Sequence, residues 1–334
     1  MTNTQPKRNI RKEIKYQFLE FRHVLKEQLM LLQLLTKKNA QRKNEGNKHL
    51  VIAMVDGSSY HGGMCDRFKG IISLYAFCKQ RNLPFRIKYT HPFRLEEFLE
   101  PATYNWLLKE REYTDNPRNI QILYMRGEYL ARRLFSMKIK KQVHYYGNRD
   151  ILNLILEQNT PYDWGTLFRE LFKPGPELQK QLNQLHQTIG SPYCAAVFRF
   201  QNLLGDFKEY HFKALSDEAE KKKLIDKCLN AIQELTSEQD NTKILVTSDS
   251  ITFLKEASKL KNVVIIPGKL IHIDGQREIK PEEKHELFMK SFLDFYMLAE
   301  ATHIYSIRTS EMYPSQFPQY AAKVHNIPFE RINI

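Results

Sequence analysis

The stretch that decides the fold begins in the last residues of a predicted strand and runs Val197-Phe198-Arg199-Phe200-Gln201-Asn202-Leu203-Leu204-Gly205-Asp206-Phe207. An apolar run ends in an arginine, and a turn through Gly205 and Asp206 then reverses the chain. Many α/β proteins hold a phosphate with one guanidinium that a strand delivers to the edge of a sheet. An arginine at a strand end is also often solvated or paired with an acid. A phosphate-binding role for Arg199 is therefore supported only by the pattern of residues around it.

Downstream of Arg199, strands and helices alternate evenly. Predicted strands cover 243–247, 263–266 and 303–307, and predicted helices cover 216–236, 281–299 and a segment from about 315. Ser248-Asp249-Ser250 is expected to cap a helix that begins at Ile251. Such alternation favours a parallel sheet covered on both faces, which binds ligands at the carboxyl ends of its strands. The polar groups expected at those ends are Arg199, Ser248, Asp249, His272 and the loop of Ser315.

The first half of the chain contains a second unit of the same kind. The apolar run 49–55 predicts a buried strand, and it leads into a glycine-containing turn before a helix. A strand, a glycine turn and a helix start aim backbone N–H groups and the helix dipole at a ligand above the sheet. This turn fits neither the Walker pattern nor the dinucleotide-binding pattern, and Gly62 and Gly63 are also compatible with a simple tight turn.

Proline and glycine mark the expected boundaries. After a break at Lys173-Pro174-Gly175-Pro176, we place the domain boundary at Gly190-Ser191-Pro192. The predicted division is a basic amphipathic helical extension at 1–48 and two Rossmann-like domains at 49–189 and 190–334. Further strands are predicted at 85–89, 120–126, 142–147 and 193–199.

The composition predicts a folded protein with anionic partners. The chain has 334 residues, 42% hydrophobic content and a formal net charge of +13, a balance that favours nucleic acid, anionic lipid or phosphorylated substrates. The positive charge is concentrated partly in the first 48 residues, and no RNA- or DNA-binding motif is present. The four cysteines show no paired spacing, so we expect no disulfide or zinc site. No apolar run has membrane-spanning length and no signal peptide is apparent, so a cytoplasmic protein is expected.

Residues 12–38 predict a basic amphipathic helix. Its apolar positions recur at steps of three and four and are Phe18, Phe21, Val24, Leu25, Leu29, Leu32 and Leu35. Such a helix can lie on an anionic membrane. It can equally pack against the body of the protein or a second subunit, and the sequence leaves these alternatives open.

Five short motifs occur in a characteristic order: His61-Gly62-Gly63-Met64-Cys65-Asp66-Arg67, Phe198-Arg199, Val246-Thr247-Ser248-Asp249, Leu293-Asp294 and Ser315-Gln316-Phe317. Over roughly 49–334, this order resembles the fucosyltransferase superfamily, which includes α-1,6-fucosyltransferases, bacterial nodulation enzymes and protein O-fucosyltransferases. The resemblance implies a GT-B fold, with two Rossmann-like domains facing across a cleft. It also implies inverting chemistry without a metal ion, and a GDP-sugar held mainly by the C-terminal domain.

The resemblance assigns donor-binding roles in the second domain. Arg199 matches the arginine that grips the donor diphosphate. Ser248 and Asp249 match an acidic pair that holds the nucleoside, so only Asp249 can act as an acid here, and a helix cap is the alternative. Asp294 matches an acidic residue on the helix below the donor, or it pairs with Lys290.

The remaining donor-binding residues have similar alternatives. Ser315, followed by Gln316 and Phe317, matches a serine that faces the phosphates at a helix N-terminus, and a simple N-cap is the other interpretation. His272 lines the nucleotide pocket or is an ordinary loop histidine. Gly62 and Gly63 form the turn on the donor side of the first domain.

The general base is expected near that turn. His61 stands where some O-fucosyltransferases carry the glutamate that deprotonates the acceptor, and a histidine has a pKa suited to this work. A histidine in a glycine turn can instead hydrogen-bond the backbone. Asp66, where relatives often carry Asn, either orients the acceptor or acts as the base itself. Cys65 replaces a common glycine, and Phe200 replaces the second arginine of the α-1,6 enzymes.

The expected function is metal-independent, inverting transfer of fucose from GDP-fucose to a glycan acceptor in bacterial surface polysaccharide synthesis, with no cofactor. The acceptor is expected to be lipid-linked at the inner membrane leaflet, with residues 12–38 in peripheral contact. Alternatives are another nucleotide sugar and a catalytically silent glycan- or nucleotide-binding relative. A basic nucleic-acid-binding protein is a further alternative.

Overall fold

The structure, a computed structural model, describes residues 10–36, 46–125, 131–156, 161–206, 213–238, 242–268 and 281–334. The chain forms two compact units: one comprises Met1–His91 and Tyr104–Asp163, the other Pro92–Thr103 and Trp164–Ile334. His272, which the sequence places at a strand end, lies outside the described residues. Within those ranges, no helix combines the length and the apolar composition needed to cross a bilayer.

In chain order the elements are α1 (Ile10–Thr36), β1 (Val51–Val55), α2 (Met64–Gln80), β2 (Phe85–Tyr89), β3 (Leu99–Pro101), β4 (Ile120–Met125), α3 (Ala131–Phe135), β5 (Gln142–Gly147), α4 (Leu152–Ile155), α5 (Trp164–Leu171), β6 (Phe172–Pro174), α6 (Pro176–Ile189), β7 (Tyr193–Phe198), α7 (Glu218–Glu238), β8 (Lys243–Ser248), α8 (Ile251–Ala257), β9 (Val263–Val264), α9 (Pro281–Ala299), β10 (Ile304–Arg308), α10 (Phe317–His325) and β11 (Phe329–Asn333).

The first unit is built on a four-stranded parallel sheet in the order β2-β1-β5-β4. Every residue of β1 is buried, as its continuous apolar sequence predicts for a strand with neighbours on both sides. Helix α2 packs on this sheet, and the approach is so close that a Cβ on Gly70 would lie 1.9 Å from the backbone oxygen of Gly147. Helix α1 packs on β4.

The second unit is built on a five-stranded parallel sheet in the order β11-β10-β7-β8-β9. From β7 the chain runs outward through β8 to β9, and then returns to the other side of β7 as β10. The connections that leave β7 and β10 therefore diverge, and this leaves a crevice at the carboxyl ends of the two strands. That crevice is the expected ligand position of an open parallel sheet.

The division of the chain differs from the boundary expected near residue 190. Helices α5 and α6 belong to the second unit because they pack on α10 and α9; for example, a Cβ on Gly165 would lie 1.9 Å from the backbone oxygen of Lys323. The segment Pro92–Thr103 also joins this unit. Its β3 pairs antiparallel with β6, and the ring of Phe93 lies 4.5 Å from that of Phe288.

Candidate functional site

Arg199 is the first residue after β7, and its guanidinium is paired with the carboxylate of Asp249. Arg199 Nη1 lies 3.0 Å from Asp249 Oδ2, with the arginine side chain 22% exposed and the aspartate 5%. The pairing follows from the sheet, because β7 and β8 are parallel neighbours and Phe198 is in register with Ser248. The residue after each strand therefore reaches the same point at the carboxyl edge. Arg199 is thus fixed there while part of its surface faces solvent.

Asp249 also shapes the loop that follows Arg199. Its Oδ1 accepts the N–H of Phe200 at 2.8 Å, and its Oδ2 accepts the N–H of Gln201 at 2.7 Å. Burial raises the pKa of Asp249, and the charge of Arg199 and these N–H groups oppose that rise. Because both oxygens are engaged, Asp249 acts in this structure as a residue that orients Arg199 and its loop.

The turn at Gly205 and Asp206 is held to the N-terminus of α8 by hydrogen bonds. Gly205 has φ +81°, a conformation that favours glycine. Asp206 Oδ2 accepts hydrogen bonds from Ser250 Oγ at 2.8 Å and from the N–H of Thr252 at 2.7 Å. Ser250 Oγ in turn accepts the N–H of Phe253, which makes Ser250 the N-cap of α8 as the sequence predicts.

Ser248 serves the same turn. Its hydroxyl oxygen accepts the N–H of Ser250 at 3.1 Å, and the serine is buried. The contacts of Ser248 and Ser250 are therefore those of a helix cap.

The loop after β10 lies against Arg199. The N–H of Tyr313 donates to the backbone oxygen of Arg199 at 3.3 Å. In the same loop, Ser315 Oγ accepts the N–H of Phe317 at 3.2 Å, and Gln316 occupies the N-cap position of α10. This places the Ser315 segment at the crevice between β7 and β10, where the N–H groups at the start of α10 supply positive potential.

Asp294 pairs with Lys290 one turn earlier on α9. Lys290 Nζ lies 2.6 Å and 2.5 Å from the two carboxylate oxygens, and both side chains are buried. Burial raises the pKa of Asp294, whereas the ammonium of Lys290 acts against that rise. The ion pair with Lys290, which was the alternative interpretation of Asp294, is therefore present.

In the first unit, His61 accepts a backbone hydrogen bond inside the turn after β1. The N–H of Gly57 donates to His61 Nε2 at 3.2 Å, and His61 is buried. A neutral imidazole has one acceptor nitrogen, so the Gly57 N–H uses the lone pair that a general base needs. In this arrangement His61 stabilises the turn.

Arg67 and Gly62 fix the end of the same turn. Arg67 Nε donates to the backbone oxygen of Gly62 at 2.8 Å, and Nη1 donates to Tyr89 Oη at 3.2 Å and to the backbone oxygen of His91 at 2.5 Å. Gly62 has φ +79°, and a Cβ there would lie 2.7 Å from Asp66 Oδ2. The turn therefore requires glycine at this position.

Asp66 lies in the first turn of α2 and remains partly exposed. Its Oδ2 accepts the N–H of Gly63 at 3.3 Å, and its Oδ1 lies 2.5 Å from Lys69 Nζ. The aspartate side chain is 38% exposed, whereas that of Lys69 is 4% exposed. A carboxylate has about four acceptor positions, so these two contacts do not exhaust it.

The fold has known counterparts. No protein-family model and no curated protein matches the sequence. Among solved structures, NodZ α-1,6-fucosyltransferase soaked with GDP-fucose is 12% identical over 83% of this chain and 92% of its own, with a TM-score of 0.51. A mutant of FUT1 from Arabidopsis thaliana in complex with GDP is 12% identical over 87% and 72%, with a TM-score of 0.53. POFUT1 in complex with GDP is 9% identical over 86% and 100%, with a TM-score of 0.50.

The chain has the fold of the fucosyltransferases. The expected GT-B fold class is thereby confirmed. Within this fucosyltransferase fold the predicted site residues form two groups, apart from Asp294 on α9 and from His272, which lies outside the described residues. Arg199, Ser248, Asp249 and the Ser315 segment share the carboxyl edge of the second unit, whereas His61, Gly62, Gly63 and Asp66 share one turn of the first. Among the described residues, no three His, Cys, Asp or Glu side chains are grouped to hold a metal ion.

Two residues of the site escaped the sequence analysis. Lys69 carries the ammonium beside Asp66, and nothing in a helical lysine signals that it is buried. Thr309 directly follows β10, is buried, and has an Oγ1 with no hydrogen-bond partner in the described part of the chain. The one signal that could have indicated Thr309 is its position directly after a parallel strand.

Proposed function

We propose that the protein is a glycosyltransferase that transfers fucose from GDP-fucose to a glycan acceptor. The observation that carries this proposal is the position of Arg199, which Asp249 fixes at the crevice between β7 and β10. Structures of the same fold with GDP or GDP-fucose support the choice of nucleotide.

The proposed step is an inverting displacement. The oxygen of an acceptor hydroxyl forms a bond to C1 of fucose while the bond from C1 to the phosphate oxygen breaks, and GDP leaves with the electron pair. Negative charge grows on the leaving diphosphate, and a guanidinium can balance it through two parallel hydrogen bonds. We infer that Arg199 supplies this charge and that no metal ion is required.

The proton of the acceptor hydroxyl passes to a base, for which Asp66 is the better candidate. The Nε2 lone pair of His61 is engaged by Gly57, whereas the carboxylate of Asp66 is partly exposed. His61 then acts by holding the turn that carries Asp66.

The setting that we propose is the synthesis of a bacterial surface polysaccharide in the cytoplasm, on a lipid-linked acceptor at the inner leaflet. The formal net charge of +13 supports it, because lipid carriers of sugars are anionic. A membrane contact through residues 12–38 is not needed for this proposal.

The test is a thermal-shift panel with GDP, UDP, ADP, CDP and GDP-fucose, each with and without EDTA. A ligand at about a hundred times its dissociation constant adds roughly 2.7 kcal/mol of stability. We expect GDP and GDP-fucose to stabilise the protein selectively, with or without EDTA. Arg199→Ala should abolish the shift. Arg331→Ala removes an exposed arginine of β11 that binds Gln319 on α10, and this variant should keep the thermal shift. Selective stabilisation by another nucleotide would replace the donor, and no shift with any nucleotide would overturn the proposal.

A second candidate function is nucleotide-sugar binding without transfer. It is favoured by the engagement of His61 with Gly57 and of Asp66 with Lys69. Release of GDP from GDP-fucose in the presence of glycan acceptors separates the two functions. An enzyme releases GDP in proportion to the fucosylated product, whereas a binding protein shifts thermally with GDP-fucose and releases none.

A further inference from the structure

Helix α1 has two different faces. One face packs on the first unit, where His23, Glu27 and Met30 are buried. The opposite face is apolar and open to solvent, with side chains that are 50–65% exposed; these are Ile14, Phe18, Phe21, Leu25, Leu32 and Leu35. An exposed apolar stripe along a helix of 27 residues marks an interaction surface.

The exposed residues follow a heptad repeat. Phe18, Leu25 and Leu32 occupy a positions, and Ile14, Phe21, Gln28 and Leu35 occupy d positions, so the steps alternate between four and three without interruption. We call these seven residues the α1 seam. A period of 3.5 residues keeps one stripe facing a second helix along its whole length, which is the geometry of a coiled coil.

The seam is mounted on a fixed helix. The carboxylate of Glu27, on the opposite face, accepts the N–H of Tyr124 at 2.7 Å and two hydrogen bonds from Arg133 Nη2 at 2.9 Å and 2.8 Å. Glu27 is itself buried. Since this contact holds α1 against β4, the seam points away from the sheet of its own unit.

In the C-terminal half of α1 the charge pattern favours a helix over a membrane as the partner, because the five basic residues of α1 all lie between Arg11 and Lys26. A helix that lies on anionic lipid carries lysine and arginine along its polar face. The polar residues His23 and Glu27 of α1 instead pack on the first unit, and no basic residue occurs from Glu27 to Thr36. The C-terminal half of the seam therefore has no basic residues beside it.

We propose that the α1 seam binds the same helix of a second copy, in a parallel, in-register coiled coil that makes the protein a homodimer. In this arrangement Gln28 meets its own counterpart, and a polar residue at one core position sets register and strand number. The half-exposed Val24, at g, meets Leu29 of the partner subunit, at e, so the apolar contact widens. This inference is independent of the proposed transferase activity.

The first experiment measures the mass of the full chain in solution by sedimentation equilibrium at micromolar concentration. We expect a dimer. Leu32→Asp places a charge in the seam and should raise the dissociation constant about a hundredfold or more. Gln33→Asp places the same charge on the next, exposed, non-seam residue and should leave the dimer intact. Circular dichroism of both variants checks that they fold alike.

The second experiment tests the register. Gln28→Cys should form an intermolecular disulfide on mild oxidation, whereas Gln33→Cys should not. The four native cysteines are buried, which keeps the background low. A monomeric wild type, or a dimer that survives Leu32→Asp, would overturn the proposal. A monomer that sediments with phosphatidylglycerol vesicles and loses this binding in Leu32→Asp would overturn it in favour of a membrane contact.

Discussion

The carboxylate of Asp249 lies 3.0 Å from the guanidinium of Arg199 and also accepts the N–H groups of the two residues that follow this arginine. One buried carboxylate therefore holds the guanidinium of Arg199 in place at the carboxyl end of β7. The same carboxylate also orients the backbone of the two residues that follow. If Arg199 holds a diphosphate, the geometry of that contact depends on Asp249, which need not touch the ligand.

Replacement of Asp249 by asparagine tests this dependence. An asparagine keeps one acceptor oxygen, but its NH2 group faces a backbone N–H, and the ion pair with Arg199 is lost. We expect Asp249→Asn to lower the free energy of unfolding by about 1–3 kcal/mol and to weaken GDP binding about tenfold. Urea unfolding and calorimetric titration measure the two effects.

The matched control is Glu256→Gln, which makes the same chemical change in the exposed ion pair between Glu256 and Lys259. Its effect on stability should stay within about 0.5 kcal/mol, and GDP binding should not change. Wild-type GDP affinity in Asp249→Asn would show that the carboxylate does not orient Arg199 for the ligand.

Asp66→Asn and His61→Gln separate the two candidate bases. If Asp66 accepts the proton, Asp66→Asn should lower kcat by about 10²–10⁴-fold while the dissociation constant of GDP stays unchanged. His61→Gln should have a smaller effect, because the amide oxygen can still accept the N–H of Gly57. Steady-state transfer kinetics and GDP titration of both variants measure this. The opposite ranking of the two kcat values would assign the base to His61.

Elements with local signals were predicted from the sequence. Helix α9 has both of its ends as expected, since Pro281 marks its first turn, and α8 begins at Ile251 behind the cap Ser250. Strand pairs that form between distant segments were not predicted. Strand β3 lies in a proline-broken segment and pairs with β6 more than 70 residues later, and β11 is an edge strand with a mixed burial pattern.

The same distinction holds at the site. Arg199 was predicted because an apolar run simply ends in an arginine. Asp249 orients the loop after Arg199 through a hydrogen bond to Phe200, which is 49 residues away in the chain. No local sequence pattern predicts this contact. The packing of α5 and α6 on α10 and α9, which moved the boundary away from residue 190, is likewise a long-range contact.

His144 makes stability depend on pH. It is buried in β5, with Nε2 3.0 Å from Gln142 Oε1 and its ring stacked 5.3 Å from that of Tyr113. Burial lowers the pKa of His144 to about 3, whereas an unfolded histidine titrates near about 6.5. Between these values the unfolded state binds more protons, so the free energy of unfolding falls as the pH is lowered from about 6.5 towards about 3.

Urea unfolding across this range measures the slope. His144→Phe keeps an aromatic ring but cannot bind a proton, so its stability should fall less steeply with acid, by a difference of at most a few kcal/mol over the range. His49→Phe, which replaces an exposed histidine, should keep the wild-type slope. Equal slopes in wild type and His144→Phe would show that His144 does not resist protonation in the folded state.

Glu27 and Glu20 lie seven residues apart on α1, and both carboxylates face Arg133. Glu27 lies 2.8 Å from Arg133 Nη2 with a side chain that is 9% exposed, whereas Glu20 lies 3.8 Å from Arg133 Nε with a side chain that is 38% exposed. Removal of one partner from a buried ion pair leaves the other charge uncompensated. Glu27→Gln should therefore lower the free energy of unfolding by about 2–3 kcal/mol, less than for a fully buried pair.

The identical change in Glu20→Gln should cost within about 0.5 kcal/mol, because an exposed pair is screened by water. Hydrogen exchange of the α1 amides, followed together with urea unfolding, locates the loss: in Glu27→Gln these amides should exchange faster than the sheet amides of β1. Because the α1 seam is presented through this anchor, the dimer should also weaken in Glu27→Gln and persist in Glu20→Gln. Equal effects of the two variants would mean that the helix is held by its apolar contacts, and that the buried carboxylate adds nothing to them.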